Sequence, residues 1–302
     1  MLSEDSQVWL VTGTSSGMGR SLVELLLAAG NRVAATTRNA SNLASLVSAH
    51  SSQKLLVIEL DISLNDQVKA AFQNIKTHFG RCDVVVNNAG YGLNGEVEAI
   101  TDEQAKDQFE VNFWGPVRIC REAVRFFRED NPAHAGGRIL NISSAGGFSG
   151  NPTMAFYSAS KFALEGFSES LSKELPTEWN IKVTIIEPGG VRTEWNKGNM
   201  IKVPTHPAYT GADAPSTTFR PLINVEYTGD PIKVAKALIT IAKADDPPMR
   251  LLLGADTLHM IRFKCQTLLK DANDWEALSV SVLADDSDPE FLSKLGPATR
   301  GQ

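Results

Sequence analysis

The 302-residue chain has no apolar run that approaches the roughly 20 residues of a membrane-spanning helix. Its N-terminal residues, MLSEDSQ, are polar and acidic and lack the apolar segment of a secretory signal peptide. Only three cysteines are present, Cys82, Cys120 and Cys265, and their spacing forms neither a disulfide framework nor a metal-ligand pair. We therefore expect a cytoplasmic protein without a membrane span and without a bound metal ion.

An excess of positive charge is also absent. The formal net charge is -6 and the pI is about 5.5, so no field of clustered Lys and Arg is available to attract nucleic acid. We expect small-molecule partners and no nucleic acid. At 42% hydrophobic residues, the chain is long enough to bury the core of one large domain.

Short apolar runs alternate with segments of helical period, which is typical of repeated βαβ units. The predicted strands are residues 8–12, 32–37, 54–60, 83–87, 137–143, 181–187 and 249–253. The predicted helices are residues 17–29, 43–50, 66–79, 102–128, 155–175, 230–243 and 257–270. The strands are continuously apolar, which favours a parallel sheet covered by helices on both faces. The prediction is a single α/β domain over residues 1–280, a Rossmann-type doubly wound parallel sheet of about seven strands.

Residues 193–228 break this alternation. The segment contains four prolines, several Gly and Thr, and no sustained period, so we expect a substrate lid within the domain or else a disordered loop. Residues 281–302 are acidic and polar, and we expect a C-terminal tail with one apolar anchor at Phe291 and Leu292.

The stretch VWLVTGTSSGMG joins the first strand to the first helix. Gly13, Gly17 and Gly19 allow a sharp turn and the close approach of a ligand, and the helix N-terminus offers free N–H groups to a pyrophosphate. The pattern predicts a dinucleotide site. A glycine-rich turn without any ligand is the alternative, because the spacing TGxxxGxG is not the better-known GxGxxG.

Further motifs follow in order: Asn87-Asn88-Ala89-Gly90 after the fourth strand, and Ser144 followed by Tyr157-Ser158-Ala159-Ser160-Lys161. Together with the glycine turn, this set resembles the short-chain dehydrogenase/reductase family, from residue 8 to residue 193. The resemblance implies an oxidoreductase with a nicotinamide dinucleotide cofactor. It implies cofactor contacts from Gly13, Thr14, Ser15, Ser16, Gly17, Met18, Asn88, Ala89 and Gly90, and from Tyr157, Lys161, Pro188, Gly189, Val191 and Thr193.

Tyr157 and Lys161 lie four residues apart in a predicted helix and so share one face. A neighbouring ammonium is expected to lower the pKa of the phenol, which makes Tyr157 a general acid or base for carbonyl reduction or alcohol oxidation. The resemblance implies that Ser144 binds the same substrate oxygen, with Ser143 as the competing candidate, and that Asn112 holds a water of a proton relay. A surface pair with no catalytic role is the alternative for Tyr157 and Lys161.

The end of the second strand carries Thr37 and Arg38 where an acidic residue would bind the adenosine ribose hydroxyls. Because Arg38 can pair with a ribose phosphate and no carboxylate repels it there, we expect NADP(H) to be preferred, with NAD(H) still possible. Asp61 matches a family position that contacts the adenine ring. It could equally be the N-cap of a turn.

We expect the substrate pocket to be bounded by four parts of the chain: residues 145–148 after Ser144, Met154 with Phe156, the loop around Tyr91, and the lid with Trp195 and Tyr209. These residues are mostly apolar or aromatic, so we expect a hydrophobic carbonyl or alcohol as substrate. The resemblance implies pairing of subunits through the helices at residues 102–128 and 155–175, giving a homodimer or homotetramer. A monomer in which the C-terminal segment covers these helices is the alternative. Two other functions stay open: a dinucleotide-binding redox sensor or scaffold without turnover, and a non-redox isomerase or dehydratase on the same fold.

Overall fold

A seven-stranded parallel sheet forms the centre of the computed structural model, which describes residues 6–284, 286–288 and 290. Its strands are β1 (Val8–Val11), β2 (Arg32–Thr37), β3 (Leu55–Glu59), β4 (Val84–Asn87), β6 (Gly137–Ile142), β7 (Ile181–Pro188) and β9 (Arg250–Leu253). Two further strands, β5 (Gly92–Asn94) and β8 (Met200–Lys202), form a separate parallel pair. All seven predicted strands are confirmed, and the separate pair was not predicted.

Helices lie between the strands in the predicted order. They are α1 (Gly17–Ala28), α2 (Ala44–Ala49), α3 (Asn65–Phe79), α4 (Asp102–Phe109), α5 (Gly115–Glu129), α6 (Ala155–Glu174), α7 (Pro215–Ile223), α8 (Pro231–Ala242), α9 (Ala255–Asp274) and α10 (Glu276–Val280). The predicted apolar anchor at Phe291 and Leu292 lies outside the described residues.

Strand β1 shows why the sheet carries helices on both faces. All four of its residues are buried, and successive side chains point to opposite faces. Val8 and Leu10 belong to the core cluster that packs under α3 and α5, whereas Trp9 and Val11 belong to the cluster under α1 and α8. The predicted α/β class with two covered faces is therefore confirmed.

The strand order is β3-β2-β1-β4-β6-β7-β9. The chain runs outward from β1 to β3 and then returns to the other side of β1 with β4. This reversal opens a crevice at the carboxyl ends of β1 and β4, which is where ligands of such sheets bind. The glycine turn follows β1 directly and Asn88 follows β4, so both motifs lie at the crevice.

The helix predicted at residues 102–128 is interrupted. A π-helical turn, Glu110–Trp114, separates α4 from α5 and adds one residue to the local turn. Pro116 lies within the first turn of α5, where the missing backbone N–H is tolerated. The prediction of one regular helix was wrong at this turn, which contains Asn112.

The segment predicted as a lid, residues 193–228, is more regular than its composition suggested. It contains β8, a 3-10 turn at Pro207–Tyr209 and helix α7, with Pro215 at the N-terminus of that helix. Strand β8 pairs with β5, which ties the lid to the segment after β4. Within the described part of the chain, no helix is long and apolar enough to cross a membrane.

Candidate active site

The glycine turn after β1 is shaped for close approach. Gly13 and Gly17 have φ angles of 66° and 57°, in the left-handed region that favours glycine. A Cβ on Gly19 would collide with the carbonyl oxygen of Gly13 and would lie 2.5 Å from Nδ2 of Asn88. No side chain caps the N-terminus of α1, and its first turn carries no acidic residue. The free N–H groups there suit a phosphate, so the turn fits a dinucleotide.

Asn88 and Thr12 hold the glycine turn in place. The backbone N–H groups of Asn88 and Ala89 donate to Oγ1 of Thr12, both at 3.0 Å. The Asn88 amide donates to the carbonyl oxygens of Thr12 and Gly13, both at 2.9 Å. Thr14 is buried and its hydroxyl donates to the carbonyl oxygen of Thr36 at 3.0 Å. The side chains of Asn88 and Thr14 therefore hold the glycine turn in place by hydrogen bonds to its backbone and to the end of β2. Ser15 is exposed, and Ser16 and Met18 are half-buried.

Tyr157 and Lys161 lie in the first two turns of helix α6, and both are buried. The ammonium nitrogen of Lys161 lies 6.0 Å from the centroid of the Tyr157 ring and donates to the carbonyl oxygen of Ile142 at 2.8 Å. Ile142 is the last residue of β6, so this hydrogen bond connects α6 to the strand that ends two residues before Ser144.

The two serines that follow β6, Ser143 and Ser144, form hydrogen bonds with different residues. The Ser143 hydroxyl donates to Oε1 of Glu165 at 2.5 Å. Ser144 accepts from the backbone N–H of Gly146 at 3.1 Å, and its hydroxyl is near enough to the Tyr157 phenol to lower the pKa of that phenol by hydrogen bonding. The alternation of side chains thus leaves Ser144 beside the phenol and directs Ser143 away from it.

Burial is the largest influence on the pKa values of both Tyr157 and Lys161. It raises the pKa of Tyr157 to about 12; the hydrogen bond with Ser144 opposes this rise, and the charges of Tyr227 and Glu165 add to it. Burial also lowers the pKa of Lys161 to about 8, which the charge of Glu165 opposes. Burial therefore leaves the pKa of the phenol raised in the protein alone. That Lys161 lowers this pKa stays a prediction; its ammonium group donates to the Ile142 carbonyl.

Asn112 lies in the π-helical turn and is fully buried. Its Oδ1 accepts from the backbone N–H of Tyr91 at 3.1 Å, and its Nδ2 donates to the Tyr91 carbonyl at 3.0 Å and to the Ser160 hydroxyl at 3.3 Å. A Cβ on Gly90 would lie 3.1 Å from Asn112 Oδ1 and 3.7 Å from Lys161 Nζ. The structure therefore brings all four predicted catalytic residues to one place, and their roles stay predictions.

The segment after β7 closes the other side of the crevice. The backbone N–H of Gly189 donates to the Leu253 carbonyl at 2.9 Å, and that of Gly190 donates to Asp256 at 2.8 Å. Pro188 ends β7, and Val191 bridges to Gly229. The side chain of Thr193 lies above Gly17, where an added Cβ would stand 3.1 Å from its methyl group.

Arg38 is exposed and lines a cavity of about 300 Å³ at the ends of β2 and β3. Glu59 and Asp61 line the same cavity, so carboxylates reach it from β3 although none is present at the end of β2. Asp61 accepts from the backbone N–H and the hydroxyl of Ser63. Burial raises its pKa, but these bonds and the charge of Arg38 outweigh burial and leave the pKa lowered.

An apolar cluster adjoins the phenol of Tyr157. Its members besides Tyr157 are Met154, Met200, Ile223, Trp195 and Phe219. Met154 and Trp195 were predicted here, whereas Met200, Ile223 and Phe219 were not. Two other expected pocket residues are not members of this cluster: the guanidinium of Arg250 covers the ring of Phe148, and the Tyr209 hydroxyl donates to Glu98 at 2.9 Å.

Residues 7–202 match the family model described as short chain dehydrogenase. The chain belongs to this family of oxidoreductases. It is 42% identical over 290 residues to an uncharacterized oxidoreductase of Schizosaccharomyces pombe, with 95% of each chain covered. It is 34% identical to a 3-ketodihydrosphingosine reductase of Bacteroides thetaiotaomicron, over 82% of this chain and 88% of that protein.

Solved structures agree with the fold of this short chain dehydrogenase. A short-chain dehydrogenase from Streptomyces avermitilis has a TM-score of 0.84 at 34% identity, over 93% of this chain and 100% of that one. A short chain dehydrogenase from Burkholderia cenocepacia, solved in complex with NADP, has a TM-score of 0.66 at 23% identity, over 92% and 98% of the two chains.

Two charged clusters of this short chain dehydrogenase were missed from the sequence. Arg220 of α7 forms a bidentate pair with the buried Glu96, with distances of 2.9 and 2.6 Å. Arg250 of β9 donates to Glu165 at 2.5 Å and to Glu187 at 2.8 Å. No local pattern reveals these pairs, because the partners come from distant parts of the chain.

Proposed function

We propose that the protein is an NADPH-dependent oxidoreductase that interconverts a hydrophobic ketone or aldehyde and the corresponding alcohol. The observation that carries the proposal is the position of the Tyr157 phenol, which lies beside Ser144 and belongs to an apolar cluster. An alcohol-binding or carbonyl-binding site needs such a proton donor next to apolar walls.

The chain's own residues supply the acid–base chemistry. At neutral pH the Tyr157 phenol is protonated, since its pKa is raised to about 12, and it can donate its proton to a carbonyl oxygen. Ser144 supports the same oxygen with a second hydrogen bond where negative charge develops. Lys161, with its pKa lowered to about 8, is charged at neutral pH and stabilises the phenolate left behind. A nicotinamide dinucleotide, when bound, supplies or accepts the hydride.

The glycine turn and the uncapped start of α1 fit the pyrophosphate of such a cofactor. Arg38 favours NADP(H), because none of the residues that the structure describes forms an ion pair or hydrogen bond with its guanidinium, which is exposed at the end of β2. Glu59 and Asp61 in the same cavity leave NAD(H) possible. Cells commonly hold NADP in its reduced form, so carbonyl reduction is the proposed direction.

The proposal extends to assembly and location. Trp114 and Phe162 are 43% and 45% exposed at the π-helical turn before α5 and on α6, and burial of such rings between subunits would form a homodimer or homotetramer. A cytoplasmic location stays a prediction from the sequence.

The test is consumption of NADPH and of NADH by the pure protein with a panel of hydrophobic ketones and aldehydes. Tyr157→Phe is the matched variant, because it removes one hydroxyl and keeps the ring packed on Trp195. We expect turnover with NADPH that falls at least ~100-fold in the variant while NADPH binding is kept. Equal turnover by both proteins would refute the role of Tyr157. Tight NADPH binding by both without turnover would favour a redox sensor, and product formation without cofactor oxidation would favour an isomerase or dehydratase.

A further inference from the structure

A buried cluster of charges lies behind Tyr157 and Lys161, and the proposed reaction does not use it. The Glu165 side chain, one turn after Lys161 on α6, is 3% exposed. It accepts from the Ser143 hydroxyl at 2.5 Å and from Arg250 at 2.5 Å. Arg250 also donates to Glu187, the fully buried residue before Pro188.

The charges of this cluster balance only when Lys161 is included. Glu165 and Glu187 contribute two buried carboxylates, and Arg250 contributes one cation. An uncompensated charge is costly away from water, and burial raises the pKa of both carboxyl groups, so a second cation nearby is needed to keep both of them ionised. Lys161 is buried on the same helix face as Glu165, at i and i+4, and completes a set of two anions and two cations.

The other charged or titratable groups that face this set are few. Glu169 of α6 lies 3.6 Å from Arg250 at the edge, with a side chain that is 42% exposed, and also pairs with Lys173. Tyr227 acts on Tyr157 from the lid side. The remaining contact of Arg250 is the ring of Phe148.

Glu165 also controls the serine next to Ser144. Its bond to Ser143 fixes the direction of one side chain at the end of β6, and the next residue must then point the other way. Gly147, in the 3-10 turn that Ser144 caps, packs against the same carboxylate so closely that no Cβ fits there. The backbone on both sides of Ser144 is thus fixed by contacts of Ser143 and Gly147 with the Glu165 carboxylate.

We propose that Glu165 is a positioning residue of the active site, which keeps Lys161 in its ammonium form and directs Ser144 toward Tyr157. The inference rests on the proposed function for its catalytic meaning, but its electrostatic part concerns the protein alone. The charge of Glu165 raises the pKa of Lys161 against burial and adds to the raised pKa of Tyr157.

Glu165→Gln removes the charge and keeps the shape, and Glu165→Asp keeps the charge. The first measurement is the ultraviolet titration of the phenolate, taken as the difference from the same background carrying Tyr157→Phe, which needs no substrate. We expect the midpoint to fall by roughly half a pH unit or more in Glu165→Gln and to stay near the wild-type value in Glu165→Asp. Glu169→Gln, one turn further along α6 at the surface, is the control and should leave the midpoint unchanged.

The second measurement is the pH profile of kcat, which should move toward lower pH in Glu165→Gln only. A merely structural role would lower the melting temperature without moving either profile, and that result would overturn the proposal, as would equal shifts in Glu165→Gln and Glu169→Gln. Should Glu165→Gln fail to fold, Glu187→Gln removes the other carboxylate held by Arg250 and must shift the phenolate in the same direction. If no substrate is turned over but the phenolate shifts as expected, the proposed reaction is wrong and this inference stands.

Discussion

The indole ring of Trp195 stands edge-on against the phenol ring of Tyr157, with 5.4 Å between the ring centroids. Trp195 belongs to the predicted lid, residues 193–228, and Tyr157 belongs to α6. Through this contact the predicted lid packs against the proposed proton donor. An aromatic ring at this place offers an apolar wall to any substrate whose oxygen reaches Tyr157.

Trp195→Ala should therefore weaken substrate binding more than catalysis. We expect the apparent KM for a hydrophobic ketone to rise roughly tenfold, since an aromatic contact of this kind is worth about 1 kcal/mol or slightly more. NADPH affinity, measured by quenching or calorimetry, should stay the same. Trp275→Ala, at a position between α9 and α10 that is 63% exposed, is the control. A changed NADPH affinity with an unchanged KM would contradict the lid assignment.

Arg38→Ala should separate the two nicotinamide cofactors. Loss of a charge-assisted hydrogen bond costs about 1.5–3 kcal/mol, so NADPH binding should weaken roughly ten- to a hundredfold while NADH binding is kept. Calorimetry with each cofactor checks the prediction. Equal weakening of both cofactors would mean that Arg38 supports the fold of the β2 turn and does not recognise a phosphate.

Local patterns carried much of the fold and the site. The apolar residues of β1 and the glycine spacing after it lie within about a dozen consecutive residues. A local pattern was therefore enough to predict the sheet and the crevice. The one-turn spacing of Tyr157 and Lys161 likewise placed both on one face.

Long-range pairing could not be predicted. Arg250 reaches Glu165 across 85 residues, and the local sequence shows only that Arg250 precedes a short apolar run. The π-helical turn at Asn112 has no local signal either, because its extra residue is held by bonds to the Tyr91 backbone on another segment. The pKa of Tyr157 depends on burial, which one helix cannot reveal.

Gly19 and Gly166 form a matched pair of helical glycines. A Cβ on Gly19 would collide with the glycine turn, whereas nothing lies within 4 Å of the position on Gly166. Gly19→Ala should displace the turn and reduce cofactor affinity at least tenfold by calorimetry. Gly166→Ala should raise the free energy of unfolding by about 0.5–1 kcal/mol, because alanine favours the helix. Similar effects of the two substitutions would show that Gly19 is not required for close approach.

The thiols should differ in reactivity. Cys82 and Cys120 are buried, and burial raises the pKa of Cys120 to about 12, so neither offers a thiolate at neutral pH. Cys265 is exposed on α9. A maleimide should label one thiol per native chain, and three after denaturation, as judged by intact mass. Cys265→Ser should abolish the native label. Rapid native labelling of a second thiol would contradict the packing of the core around Cys82 and Cys120.

The pair formed by Glu96 and Arg220 should fix the lid in a pH-dependent way. Arg220 holds the pKa of Glu96 at about 2, below the ordinary value of 4.5 for a glutamate. A carboxylate whose folded pKa is lowered stabilises the native state above its unfolded pKa, and this contribution is lost as the pH falls through about 4.5 toward 2. The shift corresponds to about 3 kcal/mol.

Arg220→Met should leave the buried Glu96 without its partner and cost roughly 3–5 kcal/mol, measured as accelerated proteolysis within residues 193–228 and a lower melting temperature at pH 7. At about pH 3 the difference from the wild type should shrink, because protonation removes the charge of Glu96 in the variant. The double variant Glu96→Gln/Arg220→Met should recover part of the loss. Together with the two single variants, Arg220→Met and Glu96→Gln, it gives the coupling energy of the pair. Additive losses in the double variant would show that the two side chains act on the lid independently.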